Sequence, residues 1–159
     1  MQSENKWVVI ERDFKAPIEK VWDMWTNASL FQKWYGPSGM SIPVAEMDVV
    51  VGGLRKICME MKTPERNMEM WFTGEYKEVQ PPTRLVFTES MADKNGNIIS
   101  PVKMGMPADH PEVTEIIVEL SEREGGTHMK LVHIGVPSGS AGEGGWKQAI
   151  DKMGVLLES

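Results

Sequence analysis

The side chains of this 159-residue chain that could move protons, ligate metal or attack a substrate are three histidines, one cysteine and a set of dispersed carboxylates. His133 is the most informative. Along the segment 127–134, Met129, Leu131 and His133 share one face of a strand, while His128, Lys130 and Val132 share the other. An imidazole in apolar company is either a hydrogen-bonded core residue or a polar handle inside a pocket, where small shifts let it titrate near neutrality. His110, beside Asp109 and Pro111, reads as a solvated loop residue. Zinc needs clustered ligands at short spacing; the lone Cys58 and scattered histidines supply none, so no metal is expected. No G-x-S-x-G nucleophile elbow occurs. The stretch GSAGEGGWK places glycines ahead of a helix, as a phosphate loop does. However, Gly145 and Trp146 stand where that loop requires Lys and Ser or Thr, so a flexible loop at a helix start is the better account. Glu46, Asp48, Glu60 and Glu75 fall on expected strands and read as solvent-facing, with nothing in their spacing to select a base. These residues name no reaction and call for no cofactor.

The elements that must carry them follow from periodicity. Residues 6–14 alternate and are β-branched, which predicts a strand. Pro17 suits a first helical turn, and Ile18, Val21, Trp22 and Trp25 form an amphipathic stripe behind it. Asn27-Ala28 breaks that helix. Ser29 and Gln32 match a capping box opening a second short helix from about Leu30 to Tyr35, which Gly36-Pro37 stops. Strands and turns follow from Ser41 to Leu120. Gly52-Gly53 is expected to supply the positive φ of one hairpin turn, and QPPT joins a second pair. About 23 residues rich in Gly, Pro, Asn and Asp, from Met91 to Val113, form a connection long enough to be a binding loop or lid. Two further strands, 114–120 and 127–134, precede a glycine-rich stretch. A last helix then places Trp146, Ala149, Ile150, Met153, Leu156 and Leu157 on one face. Strands flanked by helices give an α+β domain with an antiparallel sheet, expected to span 1–159 as a single unit.

Bulk properties exclude several function classes. The net charge of −6 lacks the concentrated basic surface that nucleic acid or an anionic membrane requires, so neither is an expected partner. One cysteine permits no internal disulfide and fits a reducing compartment, and no apolar run reaches the length of a membrane span. A cytoplasmic protein, monomeric or homodimeric, is the expectation. Thirteen methionines against four phenylalanines suit either a plastic core or an adaptable binding surface.

The segment FKAPIEKVWDMWTNASLFQKWYGP resembles the opening of the activator of heat-shock protein 90 ATPase homologue-like family, within the START/birch-allergen-like superfamily. The matching residues are Ala16, Pro17, Val21 and Trp22, then Trp34, Tyr35, Gly36 and Pro37. Asp48 with Gly52-Gly53, then Gly74, Pro81-Pro82 and Arg84-Leu85-Val86, are similar to further family segments, as is the Gly-Gly-Trp before the last helix. Tyr35 departs from the pattern, standing where a second Trp is common.

The resemblance implies a helix-grip fold: a curved antiparallel sheet wrapped around a long C-terminal helix, with two short helices after the first strand and an apolar cavity between sheet and helix. It implies a small hydrophobic or aromatic ligand bound without catalysis, with a chaperone partner or an enzyme acting on a pocketed substrate as alternatives. It carries over no catalytic residues; for an enzyme, His133 is the candidate acid or base. The expected lining is Trp34, Met59, Met70, Phe72, Phe87, Ile116, Val118, Met129, Leu131, His133, Trp146, Ile150 and Met153. An empty apolar void of about 300 Å³ would cost roughly 7 kcal/mol at about 24 cal/mol per Å³. Such a cavity must therefore hold water, a ligand or mobile side chains.

Overall fold

A computed structural model describes residues 6–104 and 111–158. Strand β1 (Trp7–Phe14) leads into helices α1 (Ile18–Thr26) and α2 (Ala28–Trp34). Six strands follow: β2 (Ser41–Met47), β3 (Leu54–Lys62), β4 (Asn67–Gln80), β5 (Arg84–Ala92), β6 (Thr114–Arg123) and β7 (Gly126–Pro137). Helix α3 (Ala141–Glu158) ends the chain. The strands form one antiparallel sheet in the order β1-β7-β6-β5-β4-β3-β2, so the first strand pairs with the last. This is the α+β helix-grip architecture that the sequence predicts.

Alternation decides which strand faces point inward. Leu85 and Phe87 on β5, Ile116, Val118 and Leu120 on β6, and Met129, Leu131 and His133 on β7 are all buried. Helix α3 lies against β1 and β7, and α2 packs on β2. Trp25, Trp34, Phe31 and Tyr35 interlock between these helices, with ring centroids 4.7 Å apart for Trp25 and Trp34 and 4.3 Å for the Phe31–Tyr35 stack. Offset and edge-on rings of this kind add to their area burial.

Several local expectations need correction. The cap of α2 is Asn27, whose side chain accepts from Leu30 N at 3.2 Å. Ser29 does not serve, because the helix begins two residues earlier; Gln32 instead donates to Ile42 O. In the β2–β3 turn only Gly52 has a positive φ. Gly53 is needed for a different reason, since a Cβ there would overlap the Asp48 carbonyl oxygen. The glycine-rich stretch before Trp146 is helical from Ala141 onward, after a turn at Gly139. Its glycines let α3 approach closely: a Cβ at Gly142 would press on Val136, and one at Gly145 would lie 3.2 Å from the Pro37 ring. Glu143 holds the helix start by accepting from Gly139 N at 2.9 Å. Leu156 is exposed, and Gly154 takes the expected place on the buried face. At 3.6 residues per turn, Leu156 and Gly154 lie about 80° to either side of the Trp146 direction, and Gly154 is on the side that meets Phe14.

The described residues of the long connection after β5 form local structure. Asp93 accepts from the backbone of Asn95 and Asn97, Ala92 bridges Ile98, and residues Pro101–Met104 form a single 3-10 turn. His110 lies outside the described residues.

Candidate functional site

Two hollows open beside the start of α3. One, of about 330 Å³, is bounded by Phe72 and Met91 on β4 and β5, Pro101 and Pro111 of the long connection, and His133 and Val136 on β7. The other, of about 210 Å³, lies between Tyr35, Gly36 and Pro37, Met59, Trp146 and Ala149. Glu89, Ala141 and Gly142 border both, so the two are lobes meeting at one carboxylate.

Of the thirteen residues expected to line a cavity, Phe72 and His133 border the first lobe, and Met59 and Trp146 the second. Trp34, Phe87, Ile116, Val118, Met129, Leu131, Ile150 and Met153 are at most 1% exposed and belong to the packed core beneath. Met70 is half-buried against that core. The open volume therefore sits at the N-terminal end of α3, above a filled interior.

His133 is 5% exposed and lies in a directed chain of hydrogen bonds. The indole N–H of Trp146 donates to Nδ1 at 2.9 Å, and an indole nitrogen can only donate. Nδ1 is therefore the acceptor and Nε2 carries the hydrogen, which it gives to Thr114 Oγ1 at 2.8 Å. Thr114 in turn donates to the Glu89 carbonyl at 3.0 Å. The chain ties α3, β7, β6 and β5 together at the edge of the first lobe, and both ring nitrogens are engaged.

Glu89 is the residue the sequence reading passed over. It follows Leu85 and Phe87 in the inward phase of β5, so its side chain enters the interior and is only 11% exposed. Its Oε2 accepts from the Tyr35 hydroxyl at 2.8 Å and lies 3.6 Å from Arg55 Nη1. Arg55, 2% exposed, holds the inward phase of β3 ahead of Ile57 and Met59. Its guanidinium lies 4.1 Å from the Phe87 ring centre and 5.3 Å from that of Phe31, and Nε donates to the Tyr76 hydroxyl at 3.4 Å. Nη1 has no hydrogen-bond partner among the described residues. Burial first, and then the adjacent Glu89, hold the Tyr35 phenol well above its ordinary range, so it stays a donor to that carboxylate. The sequence signal was a charge in phase with a buried strand face, at Arg55 and again at Glu89.

No group of metal-ligating side chains occurs among the described residues. Among them, too, no helix is long and apolar enough to cross a membrane.

Residues 15–158 match the family model described as Activator of Hsp90 ATPase homolog 1-like protein. Solved structures share the fold over nearly the whole chain. A Chromobacterium violaceum protein is 22% identical with a TM-score of 0.78, covering 97% of this chain and 99% of its own. A Nitrosomonas europaea protein is 23% identical with a TM-score of 0.74, covering 99% and 97%. The AHSA1 protein of Silicibacter pomeroyi is 18% identical with a TM-score of 0.73, covering 94% and 96%. No curated protein matches the chain.

Proposed function

This chain belongs to the Activator of Hsp90 ATPase homolog 1-like family, and from that premise we propose that it binds a small, largely apolar molecule, without catalysis, in the two lobes that meet at Glu89. The observation that carries the reading is the paired hollow itself: about 330 and 210 Å³ of space whose accessible wall is mostly apolar, with Phe72, Met91, Met59 and Trp146 among its residues and Glu89, Glu112, Thr114 and His133 as polar members. Small-molecule sites are concave and apolar, with a small number of placed polar groups that fix orientation. The engagement of both His133 nitrogens by Trp146 and Thr114 supports binding over proton transfer, since a general base needs a nitrogen free to reach its substrate. The unpaired Cys58 supports a reducing compartment such as the cytoplasm.

A neutral fluorescent probe such as N-phenyl-1-naphthylamine tests the reading, with thermal denaturation as a second readout. Probe emission should rise on mixing, and a bound ligand should raise the melting temperature by mass action. Ala141 is exposed in the first turn of α3 and borders both lobes. Ala141→Trp should fill the junction and abolish both effects while leaving the unliganded melting curve close to that of the parent. Failure of every apolar compound to bind, or unchanged binding by Ala141→Trp, would remove the proposal.

A further inference from the structure

We infer that the ligand carries an uncharged hydrogen-bond donor, a hydroxyl or an N–H, which Glu89 accepts at the junction of the two lobes, and that carboxylates are turned away there. The inference rests on the binding reading above and names its ligand class. Three observations carry it. First, Glu89 is the carboxylate common to both lobes. Second, its hydrogen bond from Tyr35 and its ion pair with Arg55 both fall on Oε2, and Oε1 has no partner among the described residues. The Glu89 side chain keeps 11% exposure where it borders the two lobes. A carboxylate oxygen accepts only, so it selects a donor. Third, the compensating charge is already in place. Arg55 sits behind Glu89, sealed between Phe87 and Phe31 and bordering neither lobe, so a ligand meets the carboxylate and not the guanidinium.

These facts rank the chemical classes. A ligand carboxylate would face Glu89 across an apolar hollow, a like-charge contact in a poor dielectric. An ammonium would leave two cations to one carboxylate and would lose its own hydration on entry. An ether of the same shape would leave Oε1 unpaired once water is displaced. A hydroxyl or N–H satisfies Oε1 at the smallest desolvation cost.

The test is displacement of N-phenyl-1-naphthylamine at pH 7 by four compounds on one skeleton: 2-naphthol, 2-methoxynaphthalene, 2-naphthoate and 2-naphthylmethylammonium. The naphthol should bind most tightly, with each of the others weaker by roughly tenfold or more, the scale set by an unpaired buried acceptor. Glu89→Gln should narrow the gap between naphthol and naphthoate, because an amide both donates and accepts; the ranking in the unaltered protein stands as evidence even if this variant does not fold. Probe binding with naphthoate, ammonium or ether equal to naphthol overturns this inference alone. No binding of the probe or of any of the four compounds overturns the binding reading beneath it as well.

Discussion

The indole N–H of Trp146 is 2.9 Å from Nδ1 of His133, so the first buried turn of α3 is pinned to β7 by a hydrogen bond that fixes which imidazole nitrogen carries the hydrogen. The two rings also meet edge-on, with centroids 5.8 Å apart. Both residues are buried, and each polar atom has its partner within the protein.

Trp146→Phe keeps an aromatic ring but removes the donor. Nδ1 of His133 then loses the indole donor. Removing the donor to a buried acceptor costs about 1–3 kcal/mol. Urea denaturation should show a lower midpoint with an unchanged slope. A variant as stable as the parent would mean that the bond does not hold the helix.

Arg55 and Glu89 should be coupled in stability. Removing one partner of a buried pair costs about 3–5 kcal/mol, because the other charge is left without compensation. Arg55→Met is therefore expected to be severely destabilising, while Arg55→Met combined with Glu89→Leu should recover much of the loss. A double-mutant cycle from denaturation midpoints measures this coupling. Strict additivity of the two single effects would show that the residues act independently.

Gly74 makes the pair reachable. Arg55 is on β3 and Glu89 on β5, with β4 between them, and Gly74 is the β4 residue opposite Arg55. A Cβ at this position would overlap the Thr88 carbonyl oxygen and come within 3.3 Å of Arg55 Cγ. Gly74→Ala should cost about 1–3 kcal/mol, the range for overpacking a filled interior. The same variant should weaken binding of the naphthylamine probe, since the guanidinium and Glu89 shift together. Wild-type stability in Gly74→Ala would contradict the close approach.

Stability should fall on the alkaline side of neutrality through His128. Its Nδ1 lies 2.6 Å from Asp13 and its Nε2 2.8 Å from Glu11, across the β1–β7 pairing. Its hydrogen bonds to Asp13 first, then to Glu11, which the ring N–H groups donate, raise its pKa above the ordinary histidine value. A raised folded-state pKa means that the protonated ring is stabilised by folding. That contribution is complete below about pH 6.5 and is lost as pH climbs through the higher folded-state value. The site is near the surface, so the effect is about 1 kcal/mol or less. Denaturation midpoints at pH 6 and pH 8.5 should differ in the parent, and the difference should shrink in His128→Gln. An equal difference in both proteins would assign the pH dependence elsewhere.

Much of the fold was legible because it depends on local periodicity. Alternation in residues 6–14 and 127–134 placed β1 and β7, and the spacing of Ile18, Val21 and Trp25 placed α1. Burial of Met129, Leu131 and His133 on one face follows from the two-residue strand repeat alone. The chain reveals less where the deciding partner is distant. The glycines of 142–145 read as loop because their lack of side chains counts against a helix locally, yet contact with Val136 and Pro37 makes that same lack an advantage. Arg55 and Glu89 each stand in an inward phase that the sequence displays. Only the strand order, with Gly74 leaving a gap between them, turns two misplaced charges into one buried pair facing a hollow. Periodicity fixes which way a side chain points; what it meets there is set by elements far along the chain.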